Sequence, residues 1–574
     1  MKRTYWNDIL IYLGLILIIA PPFFIGIDKF VTTDEPTWLR NGGNFYYALG
    51  QRDFQKTYSS IYIHPGITTD EIVASVLLVV FPEYRGIGTY FPGDAEQEKF
   101  LLQHGIHPLN ILAYARSVQL GIILISLLIL FYLFRRLIGT QFAFICILLI
   151  SYDPLFLGNA RLLNHEAMMS IFMLLSVLFW VVYLFKDGKV IFLILSGAFA
   201  AIAILSKSPA IFLFPFTLVI LGIRAIIDWR ARKKPLIKLL GIAALKFLCW
   251  SSILNFVHMV LWPARWVEPL GTLKSLFFDT LGLSTLPLLP VGAQEAPHFP
   301  WVNAKDILWE LSMLVWKTTP VIWLGVILAF VLSSYHIKNW KNSKFLYLIF
   351  LLSGLVSLGF LFVYGSGILS KTSVRIHYLL SVYLCLDVIA AIGWFLAVVW
   401  LDARLLRGRA YVRYVLFLLI LLSQMISSLS FYPYYYTYYN PIQEALQPGM
   451  QHPVDNYSEV LEQAAVYLSN KPAADQLRVL SWFATGPFSY YFPGIADSII
   501  PSAGDDQDVL ENLREYDYLV IYYDRQRRKN DPPHLLAALQ EVVPEHVIWY
   551  HGVEYVRIYR VNDLPEEVFI IYGQ

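Results

Sequence analysis

The sequence is poor in charge and almost free of cysteine. Of its 574 residues, 15% are Asp, Glu, Lys or Arg, against about 25% in an ordinary soluble domain. That deficit excludes a chain surrounded by water on all sides. Three cysteines exclude a disulfide scaffold and a Cys-rich metal site. Cys146, Cys249 and Cys385 each fall inside an apolar run and read as small core side chains. A net charge of +2 supplies no electrostatic footprint for nucleic acid. There is no internal repeat, and the only biased tract is an aromatic run at 432–439, which reads as an interfacial belt. What the chain does have is hydrophobic residues, at 57%, and aromatics, at 16%. That excludes disorder and requires lipid as part of the solvent.

Eleven apolar runs approach the length of a bilayer crossing, about 20 residues: 9–27, 109–134, 141–158, 167–185, 190–205, 209–227, 236–262, 320–335, 345–364, 377–400 and 413–431. A shorter run at 72–81 reads as an interfacial or re-entrant helix. Basic residues in short loops stay on the cytoplasmic side. With the N-terminus inside, every even-numbered crossing ends in such a cluster, from Arg135/Arg136 to Arg404/Arg407/Arg409. The first run follows Lys2 and Arg3 but contains Pro21 and Pro22 and lacks a small-x-small cleavage site, so it reads as an uncleaved anchor in the plasma (inner) membrane. The expected architecture is an α-helical polytopic membrane domain over 1–431, with a first extracytoplasmic loop at 28–108. A small extracytoplasmic α/β domain follows at 432–574, with strands near 478–482, 518–523 and 555–561 and helices near 457–468 and 533–542.

Polar residues gather at the outer ends of the runs. Thr33-Asp34-Glu35-Pro36 follows the first run. Its paired carboxylates suit a general base with an orienting neighbour, and equally a helix start in which Asp34 caps and Pro36 fills the first turn. His64 precedes a turn into the short run, and His298 lies in a later outer loop. Arg161 stands beside Asn164-His165-Glu166, where a buried charge is expensive enough to imply a purpose. Arg161, Lys207, Lys371 and Arg375 are cations able to hold a lipid phosphate, or else to snorkel to the headgroups. The mid-span Arg116, Lys246, His258 and Asp387 read as packing partners within the bundle. The histidines follow no H-E-x-x-H spacing, and no metal is required. A divalent ion bridged by Asp34, His64 and Glu166 stays open as a minor alternative.

Several stretches, taken in order, resemble the membrane-bound glycosyltransferases of family 39 and their aminoarabinose-transferase and protein mannosyltransferase relatives, of GT-C architecture. They are Asp34-Glu35-Pro36, His64-Pro65-Gly66-Ile67-Thr68-Thr69, Leu205-Ser206-Lys207-Ser208-Pro209-Ala210, Leu261-Trp262-Pro263-Ala264, Lys317-Thr318-Thr319-Pro320 and Arg375-x-His377-Tyr378-Leu379. The resemblance implies transfer of a sugar from a polyprenyl-phosphate donor to a protein, lipid or glycan hydroxyl on the outer side, with inversion. Asp34 would be the base and Glu35 its helper. Beside these, His64, His165, Glu166, His298 and Tyr378 are candidates to bind or support substrate. Two departures stand out: Glu166 replaces the family's usual Asp, and Ser381 and Val382 stand where a proline is expected. Two other classes compete. One is a flippase or transporter of lipid-linked sugars using Arg116, Lys246 and Asp387, and the other is a structural subunit of an envelope complex.

Overall fold

A computed structural model describes residues 2–58, 66–231, 235–280, 312–336, 343–365, 376–402, 404, 410–446, 457–499, 513–522, 535 and 538–570. The principal helices are α1 (Lys2–Phe24), α2 (Glu35–Gly50), α3 (Ile67–Val80), α4 (Asp94–Gln103), α5 (Pro108–Leu137), α6 (Thr140–Ser151), α7 (Pro154–Ala160), α8 (Glu166–Val182), α9 (Val190–Ser206), α10 (Leu213–Arg230), α11 (Leu236–Leu261), α12 (Pro320–His336), α13 (Ser343–Gly365), α14 (Leu380–Leu401), α15 (Ala410–Leu429) and α16 (Leu461–Ser469), with a further helix at Pro269–Thr280. Each of the eleven apolar runs holds one of them or a bent pair. Among the described residues, eight helices are long and apolar enough to cross a membrane, and counting the bent pair α6–α7 as one span makes nine. Two more apolar helices, Val190–Ser206 and Pro320–Ser333, are shorter. The protein is an integral membrane protein, since lipid leaves the backbone no partner except within such helices.

The chain divides into two compact units. The first comprises Met1–Ile25, Ala48–Ile72 and Ser117–Leu446, and the second Gly26–Tyr47, Val73–Arg116 and Gln447–Gln574. In the first unit, α8, α9 and α11 are tied by serines. Ser176 and Ser196 exchange hydrogen bonds with each other's carbonyls at 2.9 and 2.8 Å, and Trp250 donates to Ser196 at 3.1 Å. α12 and α14 pack most closely: a Cβ on Gly393 would lie 1.8 Å from the Gly325 carbonyl and 2.6 Å from the Ala329 nitrogen. Small residues bring the two backbones into contact, the usual device where lipid gives helices no hydrophobic reason to associate. α6 and α7 meet at 66°. The bend is local chemistry: Pro154 pushes Asp153 out of the helical region to ψ 123°, and the Asp153 carboxylate caps α7 by accepting the Phe156 N–H at 2.8 Å.

In the second unit a five-stranded sheet runs in the order β2-β1-β3-β5-β4, with β1 (Arg478–Ser481), β2 (Ile495–Ser498), β3 (Tyr518–Tyr522), β4 (His546–Tyr550) and β5 (Val553–Arg560). β1 pairs in parallel with β2 and β3, and β5 runs antiparallel to β3 and β4. The central strands β1, β3 and β5 are those read from the sequence. The edges β2 and β4 escape that reading because both are partly exposed and carry no buried apolar run. β4 and β5 turn on His551-Gly552, both at positive φ, the two-residue geometry that hairpins prefer. The expected helix at 457–468 appears as α16, whereas most of the one at 533–542 lies outside the described residues.

Candidate active site

In the first unit, a set of buried polar side chains collects where several helices begin or end. α8 starts at Glu166, with His165 in the preceding position. α9 stops at Ser206, and Lys207 takes an extended conformation at φ −154° and ψ 136°, since Pro209 has no N–H with which to continue the helix. Lys207 Nζ donates to Glu166 Oε1 at 2.5 Å, both side chains being buried. His377 Nε2 lies 3.7 Å from the same oxygen, and its Nδ1 is hydrogen-bonded to the Tyr436 hydroxyl at 3.2 Å. The Tyr436 carbonyl accepts from Lys317 at 2.8 Å. Two hydroxyls at the start of α3 join the set: Thr69 hydrogen-bonds His165 Nδ1 at 2.7 Å, and Thr68 donates to Ser206 at 2.9 Å. Burial pushes the His165 imidazole down to about 4, so it is neutral at ordinary pH and serves as a hydrogen-bonding group.

The aromatic run 432–439 is the hub of this arrangement. Expected at the lipid interface, Tyr434, Tyr435, Tyr436 and Tyr438 are instead 1–3% exposed, and the strip packs against cations. The Arg161 guanidinium lies 5.2 Å from the Tyr435 ring centre, Lys317 lies 4.0 Å from that of Tyr439, and Lys207 lies 4.1 Å from that of Tyr378. Arg161 also donates to the Pro22 and Phe23 carbonyls at 2.6 and 3.2 Å, closing the C-terminal end of α1. Lys207 sits on the Glu166 carboxylate, while Arg161 and Lys317 lie against the tyrosine strip, and buried cations of this kind suit an anion. Lys317 and Tyr436 were not singled out as site residues from sequence. The signal for Lys317 was present in Lys317-Thr318-Thr319-Pro320, but Tyr436 was hidden by the bland reading of its run.

In the second unit, Asp34 is half-buried immediately before α2, and its carbonyl accepts the Trp38 N–H at 3.1 Å. Glu35 is buried and heavily engaged. It receives Arg116 Nε at 2.7 Å, Arg116 Nη2 at 2.5 Å, and the Thr32 N–H and hydroxyl at 2.8 and 2.9 Å. Arg116 also donates to the carbonyls of Ile27 and Phe30. The guanidinium therefore gathers segment 27–35 around itself and fixes the backbone on which Asp34 sits. Arg116 is thereby part of this turn, and does not merely fill space in a bundle. A few residues further on, Thr37 donates to Asp94 at 2.8 Å and Arg40 pairs with the same carboxylate at 3.0 Å, while Glu98 accepts the Ser489 hydroxyl at 3.0 Å.

His64, His298, Lys371 and Arg375 lie outside the described residues. Among the described residues no three His, Cys, Asp or Glu side chains come together as a metal site, and His64 of the Asp34–His64–Glu166 combination is not among them.

Residues 112–253, which carry Arg116, Arg161, His165, Glu166 and Lys207, match the family model described as dolichyl-phosphate-mannose-protein mannosyltransferase. The chain resembles the polyprenyl-phosphate-dependent glycosyltransferases of GT-C type. No curated protein matches the chain in sequence. Two crystal structures of ArnT from Cupriavidus metallidurans are similar to it at 11% identity. For the apo state the TM-score is 0.44, over 98% of this chain and 100% of that one. For the state bound to undecaprenyl phosphate it is 0.46, over 96% and 98%.

Proposed function

We propose that the protein is an inverting glycosyltransferase that moves a sugar from a polyprenyl-phosphate donor to an acceptor hydroxyl on the outer face of the plasma (inner) membrane. The observation that carries the reading is a set of buried cations, Lys207 on Glu166 and Arg161 and Lys317 on the tyrosine strip. A lipid phosphate leaves as an anion. As the bond between the anomeric carbon and the phosphate oxygen breaks, its electron pair stays on that oxygen, and preorganised cations stabilise the growing charge without having to reorganise. The acceptor oxygen forms its bond to the anomeric carbon from the opposite face, which inverts the centre, and its proton passes to the Asp34 carboxylate as general base. Glu35, held by Arg116, keeps the Asp34 backbone in place. In this reading the N-terminus is cytoplasmic, and residues 432–574 form an extracytoplasmic domain.

The test is mass spectrometry of acceptor species in cells carrying the wild-type chain or Asp34→Asn. The expected result is loss of the sugar-modified species with normal protein abundance. An unchanged glycoform removes Asp34 as the base. Unmodified donor appearing across the bilayer, with no modified acceptor in wild-type cells, replaces transfer by transport.

A further inference from the structure

The break between α6 and α7 holds a second polar cluster, within the apolar part of the first unit, that the proposed chemistry does not use. Asp153 sits at the break and Asp387 in the eighth position of α14, which packs against both α6 and α7. Both aspartates are at most 1% exposed. One oxygen of each, Oδ2, is buried without a hydrogen-bond partner among the described residues, as are the Ser151 hydroxyl, the Ser428 hydroxyl and the Tyr438 hydroxyl. α14 and α15 both pack against α6 and α7, and the turn at 435–437 just before Tyr438 packs against α7, which brings these groups to the break; the charge acting on both Asp387 and Tyr438 there is that of Asp153. The other titratable groups at Asp387 are the thiols of Cys146 on α6 and of Cys385 on its own helix. No cation faces the pair among the described residues. Elsewhere in the protein the break is well satisfied: Gln424 on α15 donates to the Tyr152 carbonyl at 3.0 Å and accepts from Thr319 at 2.6 Å.

Two carboxylates taken out of water without a counter-charge repel each other and forfeit their hydration, at a cost of several kcal/mol per ion. Unpaired oxygens beside a broken membrane helix are the setting in which small cations and protons are bound. We infer that Asp153 and Asp387 form an intramembrane site for one small monovalent cation, a proton or Na⁺, with the Tyr438 hydroxyl as a further oxygen donor. When the occupant is a proton, it resides on one carboxyl and is offered to the other. When it is Na⁺, both carboxylates are ionised around it.

The test is infrared difference spectroscopy on the full chain in vesicles, comparing choline chloride with NaCl at neutral pH. Asp387→Asn and Asp153→Asn are the variants, the second because asparagine also caps a helix. A protonated-carboxyl C=O band in choline chloride that is lost in either variant and unmoved by NaCl identifies a proton. The same band abolished by NaCl, or a carboxylate band shifted by NaCl and not by choline, identifies Na⁺. Both results support the site and tell its two occupants apart. If neither variant changes the carboxyl or carboxylate bands in either salt, the inference is overturned. Should one variant fail to fold, the wild-type response to Na⁺ and the other variant decide.

Discussion

Lys207 and Glu166 share a bond of 2.5 Å at 3% and 6% side-chain exposure, so each is the condition for the other's burial. Removing one partner of such a pair costs about 3–5 kcal/mol, because the survivor is left charged and alone. Lys207→Met is therefore expected to lower the unfolding midpoint in detergent strongly, as well as transfer activity. Lys207→Met combined with Glu166→Leu is expected to regain most of the stability and none of the activity. A double variant as unstable as the single one would show that the pair is not an isolated unit. The same reasoning applies to Arg116 and Glu35, where Arg116→Met is expected to cost about 3–5 kcal/mol and to release segment 27–35 to proteolysis. Of these residues, Glu166, Lys207 and Glu35 were legible as polar groups at the ends of apolar runs. Which of them pair was not. Arg116 lies 81 positions from Glu35 and Tyr436 lies 59 from His377, and no local pattern encodes a contact at that range.

At the scale of elements, the helices were legible almost in full, because the bilayer demands long apolar runs and the sequence supplies them. How they pack was not, since it depends on which small residues face one another. Gly325 and Gly393 are unremarkable in a list of glycines, yet α12 and α14 meet through them. Gly393→Ala would place a methyl group 1.8 Å from the Gly325 carbonyl, so the helices must part. An overpacked contact of this kind costs roughly 1–3 kcal/mol, read as a lower thermal midpoint. Gly354→Ala, where nothing lies within 4 Å of the added carbon, is the control and is expected to be neutral or mildly stabilising. Two of the five strands went unread for a related reason: edge strands that stay partly exposed carry no buried apolar run to mark them.

At the scale of the whole molecule, the response to pH follows from half-buried carboxyls in the second unit. Burial pushes Glu98 up to about 7, against the pull of its Ser489 hydrogen bond, and raises Asp94 in the same direction. A glutamate in the unfolded chain titrates near about 4.3, so between that pH and about 7 the folded protein holds the extra proton. Its contribution to stability is complete at the acid end of this window, shrinks as pH rises through it, and is constant above. The thermal midpoint of the wild type is expected to fall across this window more than that of Glu98→Gln. Equal slopes would mean that Glu98 titrates normally. This behaviour was hidden from the sequence, where Glu98 is one acid among several in a polar helix.

The bond from Arg161 to the carbonyls of Pro22 and Phe23 spans 139 and 138 positions. It has a consequence for synthesis. α1 leaves the ribosome well before Arg161, so the groups that finish its end belong to a residue translated more than a hundred codons later. Until then the last turn of α1 must lean on water, lipid headgroups or an insertion chaperone. A nascent chain stopped before residue 161 should therefore keep that turn open to chemical probes, and one extended well beyond it should close it, so that assembly of this bundle is ordered by the calendar of translation.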